Sequence, residues 1–294
     1  MLRLVAPAKI NLGLRVAGRR PDGFHELESV FLPLDLADEL ELEVDETAGA
    51  GVHLELDPPR DDLPSGSENL VVRAALAFCA AAGLSCELRV RLAKRVPAAA
   101  GLGGGSSDAG AILRGLAQRF PGAVAPAELE RMALALGADV PFFLSPGPAR
   151  VSGVGERREP LVGSLPRFWL LLANPGRPLE TAAVFRAYAA SRPPSAGPLG
   201  PDLAAALARP QAPALRQLVR NDLEPAATQL CPELASLRLA LEAAGAGVVG
   251  LSGSGATLYG VFESLEAVTA ARERFLSGVE SGIWLRVART GESG

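Results

Sequence analysis

A glycine-rich segment in the first half of the chain carries the clearest chemical signal. It runs from Gly101 to Asp108 as Gly-Leu-Gly-Gly-Gly-Ser-Ser-Asp. Glycines let the backbone bring its N–H groups close to a ligand. Apolar residues at helical spacing follow at once, so a helix N-terminus faces the same space. The hydroxyls of Ser106 and Ser107 suit phosphate oxygens or a magnesium shell, and the segment therefore predicts a polyphosphate site.

Two common phosphate-binding motifs do not fit this segment. A Walker A loop needs Gly-Lys-Ser/Thr, and no lysine follows these glycines. A dinucleotide fingerprint needs Gly-x-Gly-x-x-Gly, but Ser106 stands where the third glycine belongs. A flexible glycine linker is the remaining alternative, and the helix that follows immediately argues against it.

Two further segments allow more than one interpretation from the residues alone. The cluster Gly250–Ala256 fits a tight turn between strands as well as a ligand loop. Its serines, Ser252 and Ser254, raise a hydrolase as an alternative, although a strand rather than a helix is expected to follow. Asp139, in the segment Gly137–Phe143, fits a turn before proline as well as a catalytic position.

The N-terminal segment Leu2–Val16 is predicted to be a strand, because its apolar residues fall on even positions and its polar residues on odd ones. Lys9 and Asn11 therefore project from one face, about 7 Å apart along the strand. Alternation in 40–44 and 52–56, with small residues between, predicts a hairpin. Strands and helices recur in both halves without strict alternation, which indicates an α+β fold.

Composition narrows the function classes. The formal net charge is −4, so neither nucleic acid nor an anionic membrane is expected as a partner. The chain has two histidines without metal-ligand spacing and three cysteines without a Cys-x-x-Cys pair, which argues against a zinc or iron site and favours a reduced compartment. We expect neither a signal peptide nor a membrane span, and hence a cytoplasmic protein.

Taken together, these segments resemble the GHMP kinases. Pro97–Asp108 resembles the ATP loop of that superfamily, Gly250–Ala256 its C-terminal glycine motif, and Pro7–Leu12 its N-terminal motif. Arg20–Leu27 is similar to the cytidine-binding segment of the branch that phosphorylates a cytidyl-diphospho-methylerythritol. Gly137–Phe143 resembles the segment with the catalytic aspartate. Phe24 stands where this branch often has tyrosine, which removes a hydroxyl and keeps the aromatic face.

The resemblance implies two α+β lobes, residues 1–150 and 151–294, with ATP and the small-molecule substrate in the cleft between them. It implies catalytic roles for Lys9 and Asp139, and Mg²⁺ bridging the ATP phosphates. The protein ligand of the magnesium is left open, with the hydroxyls of Ser106 and Ser107 as candidates. Phe24 and Phe185 are predicted to sandwich the cytosine while His25 hydrogen-bonds its edge, and Asn11 to bind the methylerythritol hydroxyls. The ATP-binding residues it implies are Pro97, Ala98, Ala99, Ala100, Gly101, Leu102, Gly103, Gly104, Gly105, Ser106 and Ser107.

Three alternatives remain open at this point. The chain could be a GHMP-type kinase for a different alcohol, or a hydrolase that uses Ser252 or Ser254. It could also be a nucleotide-binding regulator that has lost its chemistry, but the presence of both Lys9 and Asp139 argues against this.

Overall fold

A computed structural model describes residues 1–21, 23, 25–60, 62–161, 167–191, 207, 213–279 and 282–291. Within these ranges the chain forms two antiparallel-dominated sheets, each covered by helices. Both sheets and helices occur in each half, so the predicted α+β class is confirmed.

The first sheet is built around one long strand, β2, which pairs with β1 on one side and with β4 and β5 on the other. The strand β3 pairs in parallel with β4, and β6 pairs with β5. The strands of this sheet are β1 (Leu2–Arg19), β2 (His25–Asp45), β3 (Gly51–Asp57), β4 (Glu87–Ala93), β5 (Ala149–Gly153) and β6 (Arg157–Pro160).

Three helices and a short 3₁₀ helix belong to this half. The side chain of Asn69 accepts a hydrogen bond from the backbone of Val71 and so caps the first helix, which Gly83 ends in a left-handed conformation. The elements are α1 (Leu70–Ala82), α2 (Gly104–Arg119), α3 (Pro126–Leu136) and the 3₁₀ helix Val140–Leu144. Helix α2 packs on both α1 and β1, which places its N-terminus beside the first strand.

The second sheet has the strand order β10-β7-β9-β8, with every neighbouring pair antiparallel. Its strands are β7 (Trp169–Asn174), β8 (Val248–Leu251), β9 (Leu258–Phe262) and β10 (Trp284–Arg289). The helices described in this half are α4 (Thr181–Ser191), α5 (Pro213–Leu218), α6 (Glu224–Leu230), α7 (Glu233–Ala243) and α8 (Leu265–Gly278).

The two sheets share a hydrophobic core. Ile10 and Leu12 of β1 belong to the same buried cluster as Leu170 of β7 and Tyr259 of β9. As a result, β1 is buried on both faces from Ala6 to Leu14, and the polar face predicted for it lies inside the molecule over this stretch. Lys9 and Asn11 are each only 2% exposed.

Two details of the predicted organisation differ in the structure. The predicted hairpin between 40–44 and 52–56 is wrong, because β4 lies between β2 and β3 and takes the place of the expected partner. The predicted lobe boundary between residues 150 and 151 lies within β5, which pairs with β2, so the first sheet continues to Pro160.

Candidate active site

A cleft of about 960 Å³ lies where the two halves meet. Its walls come from β1, the segment after β4 that leads into α2, the segment before the 3₁₀ helix, the helix α4, and the turn after β8. The cleft therefore brings together all the segments that the sequence singles out.

The glycine loop takes a conformation that only glycine tolerates well. Gly101 and Gly103 have φ angles of +77° and +72°. A Cβ on Gly101 would lie 2.2 Å from the backbone oxygen of Ser252, so the loop can pack on the second glycine cluster only without a side chain there. Helix α2 begins directly at Gly104, and its first residues, Gly104, Gly105 and Ser106, line the cleft, so the positive end of the helix dipole lies at this wall.

Eight of the eleven predicted ATP-binding residues line the cleft. Those that do are Pro97, Ala99, Ala100, Gly101, Gly103, Gly104, Gly105 and Ser106. Ala98 is exposed outside the cleft, whereas Leu102 and Ser107 are almost completely buried. The backbone oxygen of Leu102 instead accepts a hydrogen bond from the N–H of Lys9, which fixes the loop to β1.

Ser252 joins the two glycine loops to the first strand. Its hydroxyl donates to the backbone oxygen of Gly101 at 2.8 Å and accepts from the N–H of Asn11 at 3.2 Å. The side chain is completely buried and uses its donor and an acceptor in these contacts. The hydrolase alternative therefore receives no support from Ser252, and sequence analysis missed its connecting role.

Ser254 also does not fit a nucleophile. Its hydroxyl lies 3.0 Å from that of Thr181, and in the described structure neither His25 nor His53 is hydrogen-bonded to it. His53 lies on β3, where it is exposed, as expected for the polar face of that strand.

Lys9 occupies the floor of the cleft. Its ammonium donates to Oδ1 of Asn11 at 2.6 Å and lies 3.2 Å from a carboxylate oxygen of Asp139. The same nitrogen lies 4.5 Å above the ring of Phe31, a cation–π contact. These three contacts hold the ammonium in place, and only 3% of the side chain is exposed.

Asn11 is held by its own partners. Its amide nitrogen donates to the hydroxyl of Ser29 at 2.9 Å, and that hydroxyl donates to the backbone oxygen of Gly13 at 2.7 Å. The side-chain oxygen is engaged by Lys9. Asn11 thus orients the lysine, and this contact confirms that the two side chains share one face of the strand.

Asp139 stands at the entry to the 3₁₀ helix. The backbone N–H of Val140 donates to the backbone oxygen of Gly137 at 3.1 Å, and that of Phe142 to the backbone oxygen of Asp139 at 3.2 Å, so hydrogen bonds close the turn around the aspartate. Its side chain is 31% exposed, against 3% for Lys9. The carboxylate can therefore reach a ligand in the cleft while the ammonium lies beneath it.

A buried cluster of charges anchors the start of the glycine loop. Lys94 hydrogen-bonds to Asp38 and, at 2.8 Å, to Asp108 of helix α2. Asp38 also accepts from the backbone N–H of Val96 at 2.8 Å. Burial raises the pKa of Asp108 to about 7, against the opposing effect of Lys94. This cluster ties β2, the loop and α2 together and was not found from the sequence.

The rings of His25, Phe185 and Tyr188 contact one another and form an aromatic group at the cleft. The ring of His25 stacks on that of Phe185, with centroids 5.0 Å apart and planes at 20°, and meets Tyr188 edge-on at 6.1 Å. Burial, followed by the charge of Arg19, lowers the pKa of His25 below its usual value. His25 and Phe185 both line the cleft, while Phe24 lies outside the described residues.

This stack differs from the predicted arrangement, in which the faces of two phenylalanines hold a base and His25 contacts only its edge. At a centroid distance of 5.0 Å, no base fits between His25 and Phe185. A base that binds here must use another face of these rings or displace the imidazole.

The described residues contain no group of three or more His, Cys, Asp or Glu side chains that could hold a metal ion. A divalent cation in the cleft would therefore take most of its ligands from phosphate and water, as Mg²⁺ commonly does. Ser106 lines the cleft and fits a single protein ligand, whereas Ser107, completely buried, does not. No helix among the described residues is long and apolar enough to cross a membrane.

Comparison with known families matches both halves of the chain. The model of the GHMP kinases N terminal domain matches residues 69–147, and that of the GHMP kinases C terminal region matches residues 203–280. The chain is 43% identical to the 4-diphosphocytidyl-2-C-methyl-D-erythritol kinase of Granulibacter bethesdensis, over 95% of this chain and 91% of the relative. It is 43% identical to that of Paracoccus denitrificans, over 96% and 94%.

Solved structures agree with this relationship. A crystal structure of 4-(cytidine 5'-diphospho)-2C-methyl-D-erythritol kinase matches with a TM-score of 0.82 and 38% identity, over 99% of this chain and 100% of that one. The mevalonate kinase of L. major matches with a TM-score of 0.74 and 15% identity, over 100% and 97%, a likeness of fold alone.

Proposed function

Because this chain belongs to the GHMP kinase family, we propose that it transfers the γ-phosphate of ATP to the 2-hydroxyl of 4-diphosphocytidyl-2-C-methyl-D-erythritol. The products are ADP and the 2-phosphate, in the non-mevalonate synthesis of isoprenoid precursors. Relatives of that name align with this chain over almost their whole length at 40–43% identity, which supports this substrate above other alcohols.

The contact between Lys9 and Asp139 is the observation that carries the chemical part of the proposal. A carboxylate open to the cleft lies 3.2 Å from a buried ammonium, beside the N-terminus of α2. Phosphoryl transfer depends on positioning and charge stabilisation more than on covalent chemistry by the protein. This part of the cleft offers both, because Asp139 can act as the base, Lys9 is a cation, and the N-terminus of α2 can bind an anion.

Asp139 accepts or orients the proton of the substrate hydroxyl as that oxygen attacks the γ-phosphorus. Lys9 forms an ion pair with the carboxylate and balances the negative charge of the transferring group. Asn11 directs the lysine through its side-chain oxygen and lines the cleft where the alcohol would bind.

The glycine loop holds the phosphates of ATP. Its backbone N–H groups, together with those of the first turn of α2, supply hydrogen bonds and the positive end of the helix dipole. When bound, Mg²⁺ would neutralise negative charge on the phosphates of ATP, and Ser106, which lines the cleft, would be its protein ligand. Lys94, Asp38 and Asp108 keep this loop in place from behind.

The aromatic group recognises the cytidine. Its rings supply a stacking face, which binds any base, and the hydrogen-bonding edge of His25 adds selectivity. A neutral imidazole has one donor and one acceptor, which matches the ring nitrogen and amino group of cytosine one at a time. Phe24, which lies outside the described residues, is proposed to supply a second stacking face. We also propose a cytoplasmic location, which the three free cysteine thiols support.

Product analysis tests the proposed reaction. The chain is incubated with ATP, Mg²⁺ and the cytidyl substrate, and the products are followed by ³¹P NMR. We expect ADP and a new phosphomonoester, with its phosphate attached to the oxygen on carbon 2 of the methylerythritol. Formation of inorganic phosphate in place of the ester would indicate hydrolysis and overturn it.

A further inference from the structure

Arg158 of β6 contacts the chain on both sides of Asp139. Its Nη1 donates to the backbone oxygen of Pro141, in the 3₁₀ helix that follows the aspartate. Its Nη2 lies 2.7 Å from each carboxylate oxygen of Glu130, on the helix α3 that precedes it. One guanidinium thus joins the element before Asp139 to the element after it.

The turn before β6 supports the same segment. Gly155 has a φ of +121°, and a Cβ there would lie 3.2 Å from the backbone oxygen of Ala138. The β5–β6 turn therefore packs directly on the residue that precedes Asp139. Arg158 contacts Pro141 at one end of the segment 138–141, and Gly155 contacts Ala138 at the other. The β5–β6 hairpin therefore supports this whole segment.

The burial of the Arg158 side chain indicates which of its two contacts holds the guanidinium in place. Only 20% of its side chain is exposed, whereas Glu130 is 47% exposed, so the ion pair alone contributes little to stability. The Nε of Arg158 is buried and has no hydrogen-bond partner in the described structure. Leaving a buried donor unpaired is unfavourable. The contact with Pro141 is therefore the one that accounts for the inward position of the guanidinium.

We propose that Arg158 is a positioning residue, which fixes Asp139 at its distance from Lys9 through Pro141 and α3. The inference rests on the proposed phosphotransfer, because it assigns Arg158 to the geometry of that reaction. The carboxylate lies 3.2 Å from the ammonium. A displacement of about 1 Å at a reacting group can lower the rate by about 10²-fold.

The test compares Arg158→Met with Arg131→Met. Arg131 pairs with Glu128 on the same helix α3 but is 73% exposed and contacts nothing in the segment 137–141 among the interactions described. Arg158→Met is expected to lower kcat by about 10- to 10²-fold with KM for both substrates within about threefold. Arg131→Met is expected to match the wild type. Arg158→Lys, which keeps one donor, should recover part of the lost kcat.

Hydrogen exchange gives a readout that does not depend on turnover. The N–H groups of Val140 and Phe142 close the turn around Asp139. In Arg158→Met they are expected to exchange faster in a peptide covering 137–144, while peptides from β7 and β9 stay unchanged. If Arg158→Met does not fold, Arg158→Lys takes its place, with a smaller fall in kcat and a smaller local increase in exchange, because the lysine cannot make both contacts of the guanidinium.

A kcat for Arg158→Met within twofold of the wild type would overturn the inference. So would unchanged exchange in the segment 137–144, or a fall in kcat that Arg131→Met shares. Failure of the proposed function looks different, because the wild type itself would then not phosphorylate the cytidyl substrate. In that event the exchange measurement still decides whether Arg158 holds the segment.

Discussion

Replacing Gly101 with alanine tests whether the two glycine loops must touch. The residue has a φ of +77°, which costs alanine about 1–2 kcal/mol relative to glycine. Its new methyl group would also lie 2.2 Å from the backbone oxygen of Ser252 and 3.0 Å from that of Gly255. A backbone oxygen cannot rotate away, so one loop must move, and such overpacking typically costs a further ~1–3 kcal/mol.

Gly122 provides a matched control. Its φ is +80°, and a Cβ there would meet nothing within 4 Å. Gly122→Ala therefore measures the conformational strain without the clash, and we expect it to lose about 1–2 kcal/mol of unfolding free energy. Gly101→Ala is expected to lose about 2–5 kcal/mol, because it adds the clash.

Urea denaturation and initial-rate kinetics measure the two consequences. In Gly101→Ala the loop is displaced from Ser252, so KM for ATP is expected to rise about tenfold or more, while KM for the cytidyl substrate changes less. In Gly122→Ala both values of KM should equal those of the wild type. Equal stability of the two variants, with an unchanged KM for ATP in Gly101→Ala, would refute the packing argument.

Three further predictions concern the catalytic pair and the aromatic group. Asp139→Asn is expected to lower kcat by about 10²–10⁴-fold with little change in KM. The double variant with Lys9→Met should lose less kcat than the product of the two single losses. A near-normal kcat of Asp139→Asn in steady-state assays would leave Asp139 as an ion-pair partner only. Phe185→Ala is expected to raise KM for the cytidyl substrate about 5- to 150-fold, equivalent to the ~1–3 kcal/mol of one base stack, without changing KM for ATP or Tm; an unchanged KM with a large loss of Tm would instead mean that the ring serves the core. Because burial and the charge of Arg19 lower the pKa of His25 below its usual 6.5, the imidazole is neutral at pH 7 and gains its proton only in more acidic solution, where it loses its acceptor. KM for the cytidyl substrate should then rise in the wild type and stay flat in His25→Gln, and a parallel rise in both proteins would place the titration elsewhere.

Local patterns in the sequence were enough for some of the site. Alternation in the first strand placed Lys9 and Asn11 on one face, and their hydrogen bond confirms it. Glycines followed by a helical pattern correctly predicted the helix α2, although it begins at Gly104, inside the glycine-rich segment rather than after it. The proximity of Lys9 to Asp139, 130 positions later, came only from the resemblance to a family, because no local pattern encodes a contact across that distance.

Strand partners were harder to predict than strand positions. Alternation shows which residues share a face, but not which strand lies alongside. The segments 40–44 and 52–56 are strands as expected. However, β4 lies between them in the sheet, because there it pairs with both β2 and β3 and the apolar face of β4 is buried against α1 and α2. The short loop between the two segments therefore misled the prediction.

Connecting residues were missed for a related reason. Ser252 was considered as a nucleophile, but its neighbours Asn11 and Gly101 are distant in sequence, and only the fold shows that its hydroxyl joins them. Arg158 and Lys94 stand in ordinary charged segments, and nothing near them in the sequence distinguishes them from exposed side chains. Their burial depends on the packing of the 3₁₀ helix and of α2.

The choice of phosphate acceptor is the most direct test of the proposed function. ADP release is measured with a coupled assay at fixed ATP and Mg²⁺, using 4-diphosphocytidyl-2-C-methyl-D-erythritol, mevalonate, homoserine and galactose in turn. We predict a kcat/KM for the cytidyl substrate at least about 10²-fold above each of the others, since only that substrate places a base on the aromatic group while its hydroxyl reaches Asp139. Equal or faster turnover of any of the other three alcohols would contradict the account.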